Sequence, residues 1–521
     1  MKRTLYTKIN TIILVFSLAI LSGCTDFLTD QPAAVLTQVD FYTTPTRINQ
    51  GVIGCYAGLA TIVKDEWMFT ELRSDNACLY AVASSSGSSV DQTDLAFFRP
   101  SPSLPLIQKY WYNTFQNISN VNAVLPSVAD NSFVTIESQR AQYEAELLFI
   151  RALHYYNLVN LFGDMFKITT VIGPNDAKKL TRRPVSEIYA EIIIPDLIKA
   201  SAGAPTSYAS GDAGRVTKWA AKSLLAKVYM TLGGAENIAL AKPLLEDVLA
   251  NSGSGLITSK GTFASAYSAI FDVANEMNKE IIFAVRYLGG SSGIGSSFWG
   301  SFAPSGSANL FLKIGTPLGF NSPTYEMRAK FTAEANDTRK DASFRTWIKP
   351  GSTDTIPYIS KFTDATMTQA LQAENDWIIL RYADVQLLYA EVLAQGANPD
   401  NARAEVNKIR VRAGVSSYLN FASKEEALDS VYAERRLELA FENQRWFDLL
   451  RMAKSYNNPE KPIEVMKQHV FVTDWLRAYS KFNPIPLPEE RFFTTERLLL
   501  PIPQTEIDTN NEIEIKQNSG Y

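Results

Sequence analysis

This sequence predicts a mostly α-helical fold, a superhelix of paired helices with long loops and little β structure, on three observations. Apolar residues recur at three- and four-residue spacings through most of the chain from Arg47 onward. Two stretches of about 34 residues each read as helical hairpins, the period of tetratricopeptide-type pairs. The segments that interrupt them are rich in Gly, Ser or Pro. With 521 residues, 46% apolar and 20% charged, the chain can bury a substantial core and has an ordinary globular composition. Its net charge of -4 leaves no basic footprint for nucleic acid.

In chain order, "MKRTLYTKIN" carries Lys2, Arg3 and Lys8 ahead of the apolar run "TIILVFSLAIL". That run is about 11 residues, well short of the ~20 that cross a bilayer as a helix. The pattern is a secretion signal and is set aside from the fold. Leu21, Ser22 and Gly23 before Cys24 resemble a bacterial lipobox, in which the cysteine is lipidated and becomes the mature N-terminus. Acyl chains contribute roughly 0.8 kcal/mol per buried CH₂, so two or three hold a protein on a membrane stably. The expectation is therefore a signal peptide over 1–23 and a lipidated tether over 24–46, anchored and not spanning. Cys55 and Cys78 remain. They could pair in an oxidising envelope, but Cys55 lies in the apolar pattern "RINQGVIGCYAGLATIV", which favours a buried free thiol. His154 and His469 are far apart and lack Cys partners, so no zinc spacing is present. No cofactor is expected, although an all-oxygen calcium site would leave no signature to read.

The segment "AQYEAELLFIRALHYYNLVNLFGD" places Ala145, Leu148, Ala152, Tyr155, Val159 and Phe162 on one helical face, and Gly163 supplies a stop. Leu147, Ile150, Leu153 and Leu161 make the opposite side apolar too, so this helix must pack on more than one neighbour. "RVTKWAAKSLLAKVYMTLGGAENIALAKPLLEDVLANSG" predicts a hairpin around Gly233 and Gly234. "LRYADVQLLYAEVLAQGANPDNARAEVNKIRVRAG" predicts another, broken at Gly396 and Pro399 and restarting at Ala402. Each pair leaves an apolar face that needs another pair stacked on it. Residues 83–105 and 289–311 read as long irregular loops, which in a compact protein are functional or disordered. The tail "LLLPIPQTEIDTNNEIEIKQNSGY" reads as extended and proline-punctuated.

The stretch "ERRLELAFENQRWFDLLRM" spaces Glu434, Glu438 and Glu442 by four, along one face of a helix. Like charges so placed cost about 0.2 to 0.5 kcal/mol per pair unless compensated. Arg435 is in reach of Glu438, Arg445 of Glu442 and Arg451 of Asp448. Arg381, Arg410 and Arg412 are expected to meet the acidic stripe from elsewhere, making this a charge-laced structural helix. Its other side, Leu437, Ala440, Phe441, Phe447 and Leu450, is a packing face.

Seven pieces, taken together, resemble the SusD/RagB family of Bacteroidetes outer-membrane lipoproteins. They are "AELLFIRALHYYNLVNLFGD", "RVTKWAAKSLLAKVYMTLG", "NKEIIFAVRY", "LRYADVQLLYAEVLAQ", "NKIRVRAGV", "ERRLELAFENQRWFDLLR" and the closing "LLPIPQTEID…QNSGY". They follow the family's order and span nearly the whole mature chain. The resemblance implies a SusD-like fold with an N-terminal helical region over 47–265 and a C-terminal RagB/SusD region over 266–521, packed as one body. It also implies a cell-surface, lipid-anchored protein of the outer membrane that binds oligosaccharide and serves as the lid of a SusC-like TonB-dependent transporter. Such a protein has no catalytic activity of its own. The RagB branch makes a peptide-binding lid the alternative. The residues agree on catalysis: no G-x-S-x-G elbow, P-loop or zinc signature is present, and the run 289–295 lacks phosphate-cradle spacing.

A shallow saccharide site needs exposed aromatic faces with a few polar partners. Trp111, Trp219 and Trp446 lie on helical periodicity and are expected in the core. Trp299, flanked by Ser296, Ser297 and Gly300, is expected to stand exposed as a sugar platform. The family commonly places ligand contacts in the loops after the first helices and after the "KEIIF" strand. On loop position alone this nominates Asp75, Asn76, Tyr80, Phe97, Phe98 and Arg99 on one side, and Tyr287, Phe298, Trp299 and Phe302 on the other. Alternation along a short strand would leave at most one of Phe97 and Phe98 exposed.

Overall fold

The computed structural model describes residues 41–79, 90–307, 310–351, 353, 355–468, 494–510 and 512–521. The expected signal peptide, Cys24, most of the expected tether, Tyr80 and His469 lie outside the described residues.

Ten helices of ten residues or more carry the fold among the described residues. They are α1 (Pro45–Glu66), α2 (Pro105–Ala129), α3 (Glu137–Phe162), α4 (Ile194–Gly203), α5 (Lys218–Leu232), α6 (Gly234–Asn251), α7 (Tyr382–Ala394), α8 (Ala402–Ala413), α9 (Lys424–Glu438) and α10 (Arg445–Ser455). Local chemistry sets their ends. Thr44, Thr217 and Ser423 accept backbone N–H bonds as N-caps of α1, α5 and α9, satisfying donors the helix leaves free. Gly163 ends α3 at φ 76, a backbone that side chains rarely adopt, and a Cβ there would stand 2.9 Å from Leu499.

The helices stack nearly in chain order. α2 packs on α3, α3 on α4, α4 on α5, α5 on α6, α6 on α7 and α7 on α8, while α1 covers α2 and α3, and α9 closes on α7 and α8. As its two-sided apolar pattern requires, α3 is buried almost throughout from Ala145 to Phe162. One hydrophobic core runs from Ile48 to Ile515. Strand content is small: four antiparallel pairs among the described residues, β1 (Ala77–Cys78) with β5 (Ser322–Pro323), β2 (Met165–Phe166) with β3 (Arg182–Arg183), β4 (Ile281–Val285) with β8 (Trp377–Arg381), and β6 (Phe344–Ile348) with β7 (Thr355–Ile359). Three details differ from the sequence reading. Leu380 and Arg381 end a strand instead of opening the helix, the tail contains the turns Thr495–Leu498 and Gln504–Thr509, and the two long loops hold short helices at Val90–Ala96 and Phe298–Phe302. Cys55 and Cys78 are buried and unpaired with one another, and burial pushes the Cys55 thiol up to about 12.

The acidic stretch is a buried ion-pair network. Glu434 accepts from Arg339 at 2.5 Å and Arg410 at 3.0 Å; Glu438 accepts from Arg381 at 2.6 Å and from Arg412; Glu442 accepts from Arg381 at 2.7 Å and Lys361 at 2.7 Å. The three arginines expected from elsewhere all arrive, joined by Arg339 and Lys361. Two of the three local pairs do not form. The helix stops at Glu438 and reverses through Phe441 (φ 66) and Asn443 (φ 61), which removes Glu442 from the helical face. Arg435 therefore turns to Asp448 and Asp384, and Arg445 to Asp75; only Arg451 and Asp448 pair as read, at 2.9 Å.

Candidate functional site

The loop residues nominated for ligand contact are mostly inside. Asp75 is a buried anion, taking both arms of Arg445 at 2.7 and 2.8 Å, and Asn76 Oδ1 accepts from Arg436 Nε at 2.9 Å. Phe98, at φ 58, tucks against Trp446, and the Arg73 guanidinium lies over both rings at 5.0 and 4.2 Å. Phe97 is also buried, beneath Arg99, which pairs with Asp94 at 2.8 Å and remains partly exposed. On the other side the Tyr287 hydroxyl donates to Ala60 O at 2.7 Å, Phe298 packs 4.4 Å from Trp377, and Phe302 meets Trp67 edge-on at 5.2 Å.

The expectation that Trp299 stands exposed is overturned: it is 2% accessible. Its small neighbours do not leave it bare, because a loop distant in sequence closes over them. Leu371 approaches so near that a Cβ on Gly300 would lie 2.5 Å from its Cδ2, and Gln372 covers Gly295 in the same way. Met367 and Ala373 from this loop join Ala303, Leu312 and Tyr358 around the indole. Asp75, Asn76, Phe97, Phe98, Tyr287, Phe298 and Phe302, nominated on loop position, are likewise buried, so none of them offers an open face for stacking.

One layer outward, the same cluster does reach solvent. Phe311 ends the Gly/Ser-rich segment and Trp347 lies on β6; both are half-buried, with rings edge-on at 5.9 Å. Phe311 also meets Tyr358 at 5.0 Å and Trp299 at 6.2 Å, so the buried indole is the floor of an aromatic shelf. The β6–β7 register opposes Arg345 to Tyr358 and Trp347 to Ile356. Directly opposed residues share a face of the hairpin, so the guanidinium, indole and phenol stand together. The Tyr358 hydroxyl has no hydrogen-bond partner among the described residues; burial raises its pKa and the nearby Arg345 charge opposes the rise. Leu310, next to Phe311 in the chain, is exposed as well. Such a surface offers flat faces for C–H stacking, beside a phenol and a guanidinium for hydroxyls. The sequence reading missed Trp347 and Tyr358, although "FRTWI" and "TIPYI" around "KPGSTD" carry a hairpin signal.

Among the described residues, no group of three His, Cys, Asp or Glu is arranged to hold a metal ion. None of their helices is long and apolar enough to cross a membrane.

Comparison with known proteins gives a consistent result. A family model described as the SusD family matches residues 320–521, and one described as starch-binding, associating with outer membrane, matches residues 26–230. A SusD-like protein of Formosa agariphila is 25% identical over 485 residues, covering 85% of this chain and 89% of the relative. A solved laminarin-binding SusD-like protein superposes with TM-score 0.72 at 24% identity, covering 92% of this chain and 100% of its own. Surface glycan-binding protein A from Bacteroides thetaiotaomicron, in complex with laminarihexaose, gives 0.71 at 19% identity, covering 91% and 100%. With one model on each half, a full set of motifs in order and a shared fold across both, the chain belongs to the SusD/RagB family.

Proposed function

We propose that this protein is a cell-surface lipoprotein that captures oligosaccharide and passes it to a SusC-like TonB-dependent transporter, with no catalytic step of its own. The observation that carries the reading is the shelf of Phe311 and Trp347 over Trp299 and Tyr358, with Arg345 beside it. An apolar stacking face with few polar anchors suits a pyranose chain, whereas an extended peptide is held chiefly through main-chain hydrogen bonds. Laminarin and laminarihexaose binding by two solved neighbours, and the outer-membrane description of one family model, support it. The Cys24 pattern supplies the anchor.

A glycan array probed beside a peptide pool tests the ligand class. Binding to glucans or related glycans is expected, and binding confined to peptides overturns the reading. Metabolic labelling with a fatty acid is expected to mark the wild type and not Cys24→Ala. Extraction of outer membranes in mild detergent is expected to bring down a large TonB-dependent barrel with this protein. Recovery of a monomer alone would remove the transporter from the proposal.

A further inference from the structure

A second cleft, of about 440 Å³, lies between α2, the segment 166–180 and the C-terminal turn Gln504–Thr509, and it shares no residue with the shelf. Its wall is aromatic: Trp111 meets Phe115 at 5.0 Å and Phe166 at 6.0 Å, and Phe115 meets Phe166 at 6.1 Å. On α2, Tyr112, Phe115, Gln116 and Ser119 follow one another at helical spacing along the cleft, so one face of the helix lines it. That is the outer face, since Ile107, Tyr110, Thr114, Ile118 and Val121 are buried on the other. An outer face is ordinarily polar, yet here it carries a Tyr that is 66% exposed and a half-buried Phe. Core packing does not account for Tyr112, whose hydroxyl, among the described residues, donates to Gln116 Oε1 alone, at 3.5 Å.

Facing the aromatics are Glu506, Thr509 and Asn510 from the tail, and Lys178 stands at the rim. The lining holds one cation, Lys178, and one carboxyl, Glu506, which also takes a hydrogen bond from Trp111, so its formal charges balance and it has no bias toward an anion. Amide and hydroxyl groups on both sides distinguish it from a lipid slot, which would be apolar throughout. The volume falls at the lower end of the ~300–1,000 Å³ typical of small-ligand sites.

We propose that this cleft is a second carbohydrate subsite. It takes one or two pyranose rings against Tyr112 and Phe115, with sugar hydroxyls bonded by Gln116, Asn510 and Glu506. This rests on the reading of the protein as an oligosaccharide binder and adds a second point of attachment on the same chain. Two subsites that engage one long glycan raise avidity without tighter contacts at either.

Hydrogen–deuterium exchange on the full mature chain, with laminarihexaose and with maltohexaose, separates the two sites. Protection is expected in 108–119 and 504–510 as well as in 310–318 and 344–358. Tyr112→Ala, at an exposed position, and Asn510→Ala, at a half-buried one, are each expected to weaken the cleft about tenfold and leave shelf protection unchanged. Protection at the shelf alone overturns the subsite and keeps the proposed function. Protection at the cleft alone keeps the subsite and removes the shelf as the capture site. Protection at neither, with either hexaose, overturns both.

Discussion

Arg435 on α9 and Asp448 on α10 meet across the helix break through two parallel hydrogen bonds, Nε to Oδ2 at 2.9 Å and Nη2 to Oδ1 at 2.9 Å. Both side chains are buried, and each has a further partner: Arg435 Nη2 reaches Asp384 Oδ1 at 2.7 Å, and Asp448 Oδ1 also accepts from Arg451 at 2.9 Å. The pair thus ties α7, α9 and α10 together. Removing one member strands the others as buried, uncompensated charges, so Arg435→Met is expected to cost about 3–5 kcal/mol in urea unfolding. Replacing Arg435 and Asp448 together by apolar residues should cost less than the sum of the two singles. A single variant within about 1 kcal/mol of wild type in that assay would show the staple to be dispensable.

Stability should fall as pH rises from mildly acidic to mildly alkaline. Burial pushes the Glu71 carboxyl up to about 8 against hydrogen bonding from Asn443 N–H, and burial pushes Glu66 up to about 7 against Tyr110 and Asn157. An unfolded Glu releases its proton near pH 4.3. Between there and the folded values the native state holds more protons, so stability is lost across that window and levels off above about 8. Despite burial, Arg412, Arg381 and Arg339 hold Glu438 well below the carboxylate range, and Lys227 and Arg435 do the same for Asp384. Those two groups contribute stability that is present above the unfolded value and lost as pH falls below it. Glu71→Gln keeps an acceptor for Asn443 N–H and removes the titration. The difference in unfolding free energy between this variant and wild type should shift in the variant's favour by on the order of a few kcal/mol from pH 5 to pH 8. A pH-independent difference would rule Glu71 out as a source of the decline.

The helical half of this fold was legible because its signals are local. The turn at Gly233, the stop at Gly163 and the restart at Ala402 are written where they act, and the unpaired acidic stripe announced that arginines must come from elsewhere. The site was less legible because exposure is decided at long range. The Ser and Gly residues beside Trp299 gave no sign of its burial; besides Ala303 and Leu312, the residues packed on it, Tyr358, Met367 and Ala373, stand about 60 to 75 positions later. A contact across sequence also hid Trp347, whose hairpin becomes a shelf only when Phe311 is laid against it. Glu442 failed for a different reason, a left-handed turn at non-glycine residues that propensity does not foresee.

Two tryptophans in the aromatic cluster therefore have opposite expected phenotypes. Trp299 is enclosed, with its indole N–H lacking an acceptor among the described residues and its ring near both Phe311 and Tyr358. Trp299→Ala removes a buried ring and leaves a cavity, which costs about 3–5 kcal/mol, and thermal melting should register it before any binding assay does. Trp347 is half-buried, so Trp347→Ala loses less packing but removes a ring from the shelf. Its melting transition should stay close to wild type while oligosaccharide affinity falls about tenfold or more, equivalent to about 1.4 kcal/mol or greater. Phe311→Ala should share both defects, because Phe311 covers Trp299 and also faces solvent. Calorimetry in which Trp347→Ala binds as wild type does, with an unchanged melt, would leave the shelf without a role in capture. Intact affinity in a destabilised Trp299→Ala would confirm that the buried indole supports the surface without touching the sugar.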